Sequence, residues 1–420
     1  MNLTAAVHPL AAAGESAPAG GSPIVQIVIA TLAAGIILTV LIALGLARRS
    51  GRFAAFDRVE AFASRMSGGL PAWSAIASAV AAVSLLCAVF GLYWDVSLHI
   101  DNGRDEGPLA NPSHYFILAG LLGIFAAGWL AVVLPRERPG PIAVKLTRDW
   151  YAPVGGLVLM ACASFAALGF PLDDFWHRLF GQDVTLWGPT HLMMLSGAAL
   201  SLIGILVVLV EGRLAAGAER ARAAGDPSGG DPGPDAPLVG EARRGRPSPA
   251  ALLTSPRART VSACGGLLVG LSIYQAEFDF GVPQFSLLYH PVLIAAAASI
   301  ALVAARLIGG RGAALATAGF FIALRGVLAL LVGPGLGEAL PHFPLFLAEA
   351  LLVELIAWQA NPDRPYRMAV VAGTAIGTLG VLAEYGWSKL WMPIEWPAQI
   401  VPEAIVASLL VSVAGAILGA

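Results

Sequence analysis

Charge is scarce in this chain. Only 12% of its 420 residues are charged while 57% are hydrophobic, and the mean hydropathy is +0.75. Soluble domains carry roughly 25% charge, so a secreted enzyme, a nucleic-acid binder and a disordered scaffold are excluded. Lysine is rarer still, with only Lys145 and Lys389 among 25 Lys and Arg. Together with abundant Ala and Gly, this points to a GC-rich bacterial genome and says nothing of function. The three cysteines, Cys87, Cys162 and Cys264, each stand alone in an apolar run, so neither a disulfide framework nor a CxxC metal or redox motif exists. A GxxxxGK[ST] phosphate loop is also missing, so neither nucleotide nor nucleic acid is an expected partner.

What the chain has in abundance is long apolar runs. A spanning helix needs about 20 such residues, and lipid admits only structures that satisfy their own backbone. Breaks of charge, Pro and Gly divide the sequence into eleven candidate spans, roughly 24 to 46, 72 to 94, 113 to 134, 150 to 170, 189 to 211, 261 to 278, 287 to 308, 313 to 334, 343 to 360, 368 to 390 and 399 to 419. The predicted fold is an all-α polytopic bundle in a lipid bilayer. The first span follows a tail (1–23) without a basic region and ends in Arg48-Arg49, so it reads as a retained helix.

Basic loops stay cytoplasmic. Of the 25 Lys and Arg, Arg104, Arg178 and Lys389 fall on one side and Arg325 lies within a span; all the others fall on the opposite side. This predicts a bacterial-type plasma membrane protein with its N-terminus outside and its C-terminus in the cytoplasm. One long loop, 212–260, is rich in Gly, Pro, Asp and Arg, as in GDPSGGDPGPDAP. It is expected to be a disordered cytoplasmic linker between helices 1–5 (24–211) and helices 6–11 (261–420).

Histidine played no part in setting that orientation, yet all seven fall on the outer side: His8, His99, His114, His177, His191, His290 and His342. Two stretches there repeat one another. WDVSLH (94–99) precedes NPSHYFIL (111–118), and LDDFWH (172–177) precedes GPTHLMML (188–195). Each is a helix end carrying Asp-x3-His, followed by Pro-[Ser/Thr]-His opening the next helix. His99 and His177 are 78 residues apart, His114 and His191 are 77 apart, and so two helical hairpins repeat in tandem. A fainter third copy runs through Gln275, Glu277 and Asp279 to LLYHP with His290, and a fourth through Glu384 to WPAQ.

Asp at i and His at i+4 share one helix face, so Asp95 with His99, and Asp173 with His177, can address one point. Asn111 or Gly188 can serve as N-cap and the proline suits the first turn. There the helix dipole favours neutral imidazole, the form that binds metal. Two His and one carboxylate suit non-haem iron and are tolerable to copper or zinc.

The Asp-x3-His followed about a dozen residues later by a second His resembles the metal-binding motif of the C subunit of the particulate methane and ammonia monooxygenases, where it holds copper. The resemblance covers about 25 residues of each repeat; the gap between the histidines is slightly longer here, and that subunit is shorter and not duplicated in this way. It implies Asp95, His99 and His114, or Asp173, His177 and His191, as metal ligands.

Copper or iron at one or two sites built from Asp95, His99, His114, Asp173, Asp174, His177 and His191 is therefore the leading expectation, in a protein of redox or monooxygenase-like type. Haem b is the chief alternative cofactor, since His114, His191 and His290 open three inward-running helices, with Glu277 bordering the same region. Intramembrane Arg325, Glu349 and Glu354 are costly in lipid and are expected to pair with one another. They leave an ion or metal transporter open, as they do a subunit of a larger membrane complex whose histidines serve as caps. The tryptophans Trp94, Trp176, Trp187, Trp391 and Trp396 are expected as interfacial anchors.

Overall fold

Lipid offers the backbone no hydrogen-bond partner, so an apolar run inside it must close its own bonds as a helix. The computed structural model describes residues 24–52, 56–102, 109, 111–180, 185–224, 255–361 and 364–420. Its spanning helices are α1 (Ile24–Arg49), α3 (Ala72–Asn102), α4 (Pro112–Val133), α5 (Val154–Phe180), α6 (Pro189–Ala224), α7 (Pro256–Ser272), α8 (Tyr289–Gly309), α9 (Ala313–Leu330), the pair α11 (Pro365–Ala375) and α12 (Val381–Ser388), and α13 (Val401–Gly419). A 3-10 turn carries α7 on to Asp279, and a π-turn at Ile376–Gly380 joins α11 to α12. Among the described residues, ten helical spans are long and apolar enough to cross a bilayer. Exposed Leu32, Val406, Leu410 and Leu418 give α1 and α13 their lipid-facing surfaces. The chain is an all-α, multi-pass membrane protein.

The expected ninth span departs from a continuous helix. Its helix, α10 (Leu347–Gln359), has 13 residues, and residues 339–346 before it have no regular secondary structure, ending in a left-handed Phe346 (φ 57°). Pro341 and Pro344 remove amide donors there and bar an upstream turn. The open backbone is stitched to its neighbours. Ala339 accepts from Ser97 Oγ (2.5 Å) and donates to Asp101 Oδ2 (2.6 Å). His342 N donates to the Asp279 carbonyl (3.0 Å), and Trp387 Nε1 donates to that of Phe343 (3.0 Å). Irregular backbone at membrane depth survives only when buried in protein like this.

Three further elements were not expected from the apolar runs, and one of them, a strand at Trp150–Ala152, takes up the first residues of the span expected from 150, whose helix begins at Val154. The helix α2 (Phe56–Met66) is amphipathic, with Val59 and Phe62 exposed, and its Asp57 and Glu60 bind Arg48 of α1. A hairpin of β1 (Val144–Thr147) and β2 (Trp150–Ala152) pairs antiparallel, with Val144 opposite Ala152. Arg49 donates to the carbonyls of Pro135 and Asp149, which gathers these arginine-rich ends on one face. The helices α6 and α7 reach to Ala224 and from Pro256, so they take up both edges of the expected linker; 225–254 lies outside the described residues, as does the tail with His8.

Duplication is visible in the packing itself. A Cβ at Gly120 of α4 would come within 2.5 Å of the Ala88 Cβ and 2.6 Å of the Ser84 carbonyl oxygen. At Gly197 of α6 it would come within 2.7 Å of the Ala166 Cβ and 2.6 Å of the Cys162 carbonyl oxygen. These are the same contacts one repeat apart. Small residues let helix backbones approach closely in membranes, and that closeness draws the histidine-bearing ends of α3 with α4, and of α5 with α6, together.

Candidate metal centre

In the second hairpin, α5 brings Asp173 and His177 to one face, and the first turn of α6 brings Thr190 and His191 opposite. Asp173 Oδ2 lies 3.3 Å from His177 Nε2, and Oδ1 lies 3.3 Å from His191 Nε2. Thr190 Oγ1 donates to Asp173 Oδ1 (2.5 Å), fixing the carboxylate. His191 Nδ1 donates to the Thr185 carbonyl oxygen (2.8 Å), which orients the ring and aims Nε2 at Asp173. The two imidazoles have ring centroids 5.8 Å apart. One ligand atom from each of Asp173, His177 and His191 lies within 4.8 Å of the other two. Bonds of about 2 Å around one ion place ligand atoms roughly 3–4 Å apart, so the donor set fits an ion after small side-chain movements. Hydrogen bonding of the far imidazole nitrogen to a carbonyl is the usual second support of a metal-binding histidine.

The first hairpin carries the matching residues in a different arrangement. Asp95 Oδ1 is met by His114 Nε2 (3.0 Å), Asn111 Nδ2 (2.8 Å) and Ser113 Oγ (2.6 Å). Asn111 is the N-cap of α4, as its place before proline predicts, and its side chain accepts from Ser113 N. His99 turns Nδ1 to the carbonyl of Asp95 (2.8 Å), leaving 3.7 Å to Oδ2. Here one carboxylate oxygen gathers a capping network. Among the described residues, the second hairpin alone forms a three-ligand cluster. Both hairpins border one cavity of about 1770 Å³, and Asp174 and Glu277 reach it as well.

Two residues expected beside the cofactor have other partners. The Glu277 carboxylate accepts from Thr185 Oγ1 (2.7 Å), Leu186 N (2.9 Å) and Gln284 N (2.9 Å), so it clamps the loop before α6. His290 is 1% exposed and does not line the cavity of His114 and His191. It stacks on Phe278 at 4.8 Å and its Nδ1 accepts from Trp396 Nε1 (3.0 Å). Trp396 is itself 1% exposed, a core residue and not an interfacial anchor.

The expected pairing of Arg325 with Glu349 and Glu354 is also replaced. Arg325 donates to Asp279 Oδ2 (2.8 Å) and to the His342 carbonyl oxygen (2.7 Å), with its guanidinium 3.8 Å above the Tyr93 ring. Glu354 accepts from Gly312 N and Ala314 N, both at 2.9 Å, and lies 3.1 Å from Arg306; it closes the start of α9. Glu349 is 1% exposed and Glu384 is 4% exposed. Glu384 accepts from Leu345 N (3.1 Å) and Phe346 N (2.8 Å). The sequence shows which residues are buried and charged, but helix rotation decides their partners.

The fold and site together define a multi-pass helical membrane protein with a His/carboxylate cluster at one end of its bundle. The chain matches no protein-family model, no curated protein and no solved structure. Its functional reading therefore rests on its own geometry.

Proposed function

We propose that this chain is an integral membrane metalloprotein that binds one copper or iron ion through Asp173, His177 and His191. The observation that carries the reading is the convergence of two imidazole nitrogens and a carboxylate oxygen within 4.8 Å. The distribution of basic residues supports the reading that this end of the bundle lies outside the cytoplasm. Three protein ligands leave coordination positions for oxygen or a small substrate on ions of this class, and such an ion would supply redox chemistry of the oxidoreductase or monooxygenase type. Copper is the ion that the monooxygenase resemblance implies.

The test is metal content. Full-length protein purified in detergent, loaded with copper or ferrous iron and then desalted, is expected to retain about one ion per chain. His177→Ala and His191→Ala are each expected to lower retention more than tenfold while the protein elutes as the wild type does on gel filtration. Wild-type protein that retains neither ion overturns the reading.

A second reading, an ion or metal transporter, is favoured by one observation. The interrupted passage at 339–346 ends at the buried pair Glu349 and Glu384, and broken helices with buried carboxylates are how transporters build ion sites. Uptake into proteoliposomes that is abolished by Glu349→Gln but indifferent to His177→Ala would favour it.

A further inference from the structure

The cavity beside the triad is much larger than a metal site needs. Its volume of about 1770 Å³ exceeds the roughly 300–1,000 Å³ usual for small-molecule pockets. Along α6 it runs from His191 to Leu209, about 27 Å at 1.5 Å per residue, close to the ~30 Å hydrocarbon core. Its polar groups are unevenly placed. Asp95, His99, His114, Asp173, His177 and His191 gather at one end, and below them the walls are almost wholly Ala, Leu, Ile and Val down to Ser78, Ser262 and Arg259.

The outer wall is α1. One stripe of that helix faces the bundle, and its two halves differ. At Gly45 the helix packs so closely that a Cβ would lie 2.3 Å from Trp129 Nε1, and Trp129 Nε1 donates to the Leu41 carbonyl oxygen (3.1 Å). Towards the histidine-bearing end the same stripe, Ile27, Ala30, Ala34 and Leu38, borders the cavity. There α1 is tethered by Leu109 N donating to Gln26 Oε1 (3.2 Å). Apolar walls left without contacts lose dispersion energy, and water gains few hydrogen bonds among them. Hydrocarbon is the filling that suits them.

We propose that this cavity binds a long-chain amphiphile drawn from the outer leaflet, its tail lying between α1 and the bundle and its uncharged, hydrogen-bonding head meeting the His/Asp end. Head and tail then stay at the depths they occupy in the bilayer, so entry past α1 needs no transfer of a polar group through hydrocarbon. The carboxylates Asp95, Asp173, Asp174 and Glu277 at the head end disfavour an anionic head, while the imidazoles beside them can exchange hydrogen bonds with a hydroxyl. This inference deepens the metal reading, on which it rests for what the head would meet.

The test uses purified full-length protein in nanodiscs and hexadecanol carrying a mid-chain diazirine. Photolabelling is expected to saturate and to map to α1, α6 and α7. Unlabelled hexadecanol is expected to compete at least fivefold better than palmitate or octanol. Ala198, two turns below His191 on the same face of α6, lines the cavity, as does Ala34 on the opposite wall. Ala198→Trp and Ala34→Phe are each expected to cut labelling at least fivefold, and either variant serves if the other fails to fold. Labelling that does not saturate, that spreads over the lipid face of α13, or that survives both substitutions overturns the inference. Metal content of the same samples separates the two readings. Unspecific labelling of metal-loaded protein overturns only the amphiphile, whereas saturable labelling of protein that retains no metal overturns only the metal site.

Discussion

Asp95 and Asp173 hold equivalent places in two copies of one hairpin, and their neighbours divide their roles. Three donors converge on a single oxygen of Asp95, which ties that oxygen to the start of α4. Asp173 gives one oxygen to each of two imidazoles. From this difference we expect Asp173→Asn to lower metal retention more than tenfold, and the adjacent Asp174→Asn to change it by less than about twofold. His99→Ala should likewise leave metal retention near wild type, because that ring is turned to its own helix backbone. Elemental analysis of the three variants decides, and equal losses from Asp173→Asn and His99→Ala would show that both hairpins feed one site. The pattern Asp-x3-His was legible because i and i+4 share a helix face. The rotation of His99 away from Asp95 Oδ2 was not, since a side-chain torsion leaves no mark on spacing.

Arg325 shows a similar limit. Its cost in lipid was plain from its place in an apolar run, but its partner Asp279 lies 46 residues earlier, not on the next helix in sequence. Both side chains are buried, at 1% and 0% exposure. Removing one member of such a pair leaves an uncompensated charge and costs about 3–5 kcal/mol, whereas exchanging both for apolar residues of similar size is often nearly neutral. Asp279→Leu and Arg325→Met should therefore each destabilise the protein strongly in SDS-induced unfolding, and the double substitution should recover most of the loss. Additive losses in the double variant would contradict this account.

Among the elements, glutamates act between helices and glycines bring them close. Glu211 on α6 accepts from Val154 N (2.8 Å) and Gly155 N (3.0 Å), Glu354 closes the start of α9 and Glu384 that of α10. The opening turn of a helix has amides without internal partners and a positive dipole end, so a buried carboxylate from a neighbouring helix satisfies both. Glu211→Ala should cost about 1–3 kcal/mol by leaving those amides unpaired, seen as unfolding at lower SDS fraction with metal retention unchanged. Gly197→Val should act otherwise. Its Cβ would press on the Cys162 carbonyl oxygen at 2.6 Å and force α6 from α5, so metal retention falls although no ligand is altered. The helices and their number were nearly all evident in the apolar runs. The 78-residue repeat was evident from its histidines, yet Gly120 and Gly197 carry the same repeat in packing and were hidden among 48 glycines.

At the scale of the whole molecule, the two groups of helices form one bundle around the cavity. Arg259 of α7 donates to the Ala75 carbonyl oxygen and to Ser78 Oγ of α3, both at 3.0 Å, and Ser97 of α3 reaches Ala339. The sidedness of the bundle turns on its least regular passage. Thirteen residues of α10 rise about 20 Å at 1.5 Å each, short of a ~30 Å core. The irregular stretch 339–346 lies at the end where Asp279 and Asp101 hold it, while Glu354 near the far end of α10 meets Arg306 and the start of α9. If helix and irregular segment together make a full crossing, the histidines lie on the side opposite most of the arginines, as the distribution of basic residues predicts. In a chain with Cys87, Cys162 and Cys264 replaced, a membrane-impermeant maleimide should label Glu338→Cys and Lys389→Cys in intact cells, and Asn361→Cys only after permeabilisation. If Glu338→Cys and Asn361→Cys are labelled from the same side, the passage is re-entrant and does not cross. The last two spans would then be inverted, along with the side assigned to Lys389.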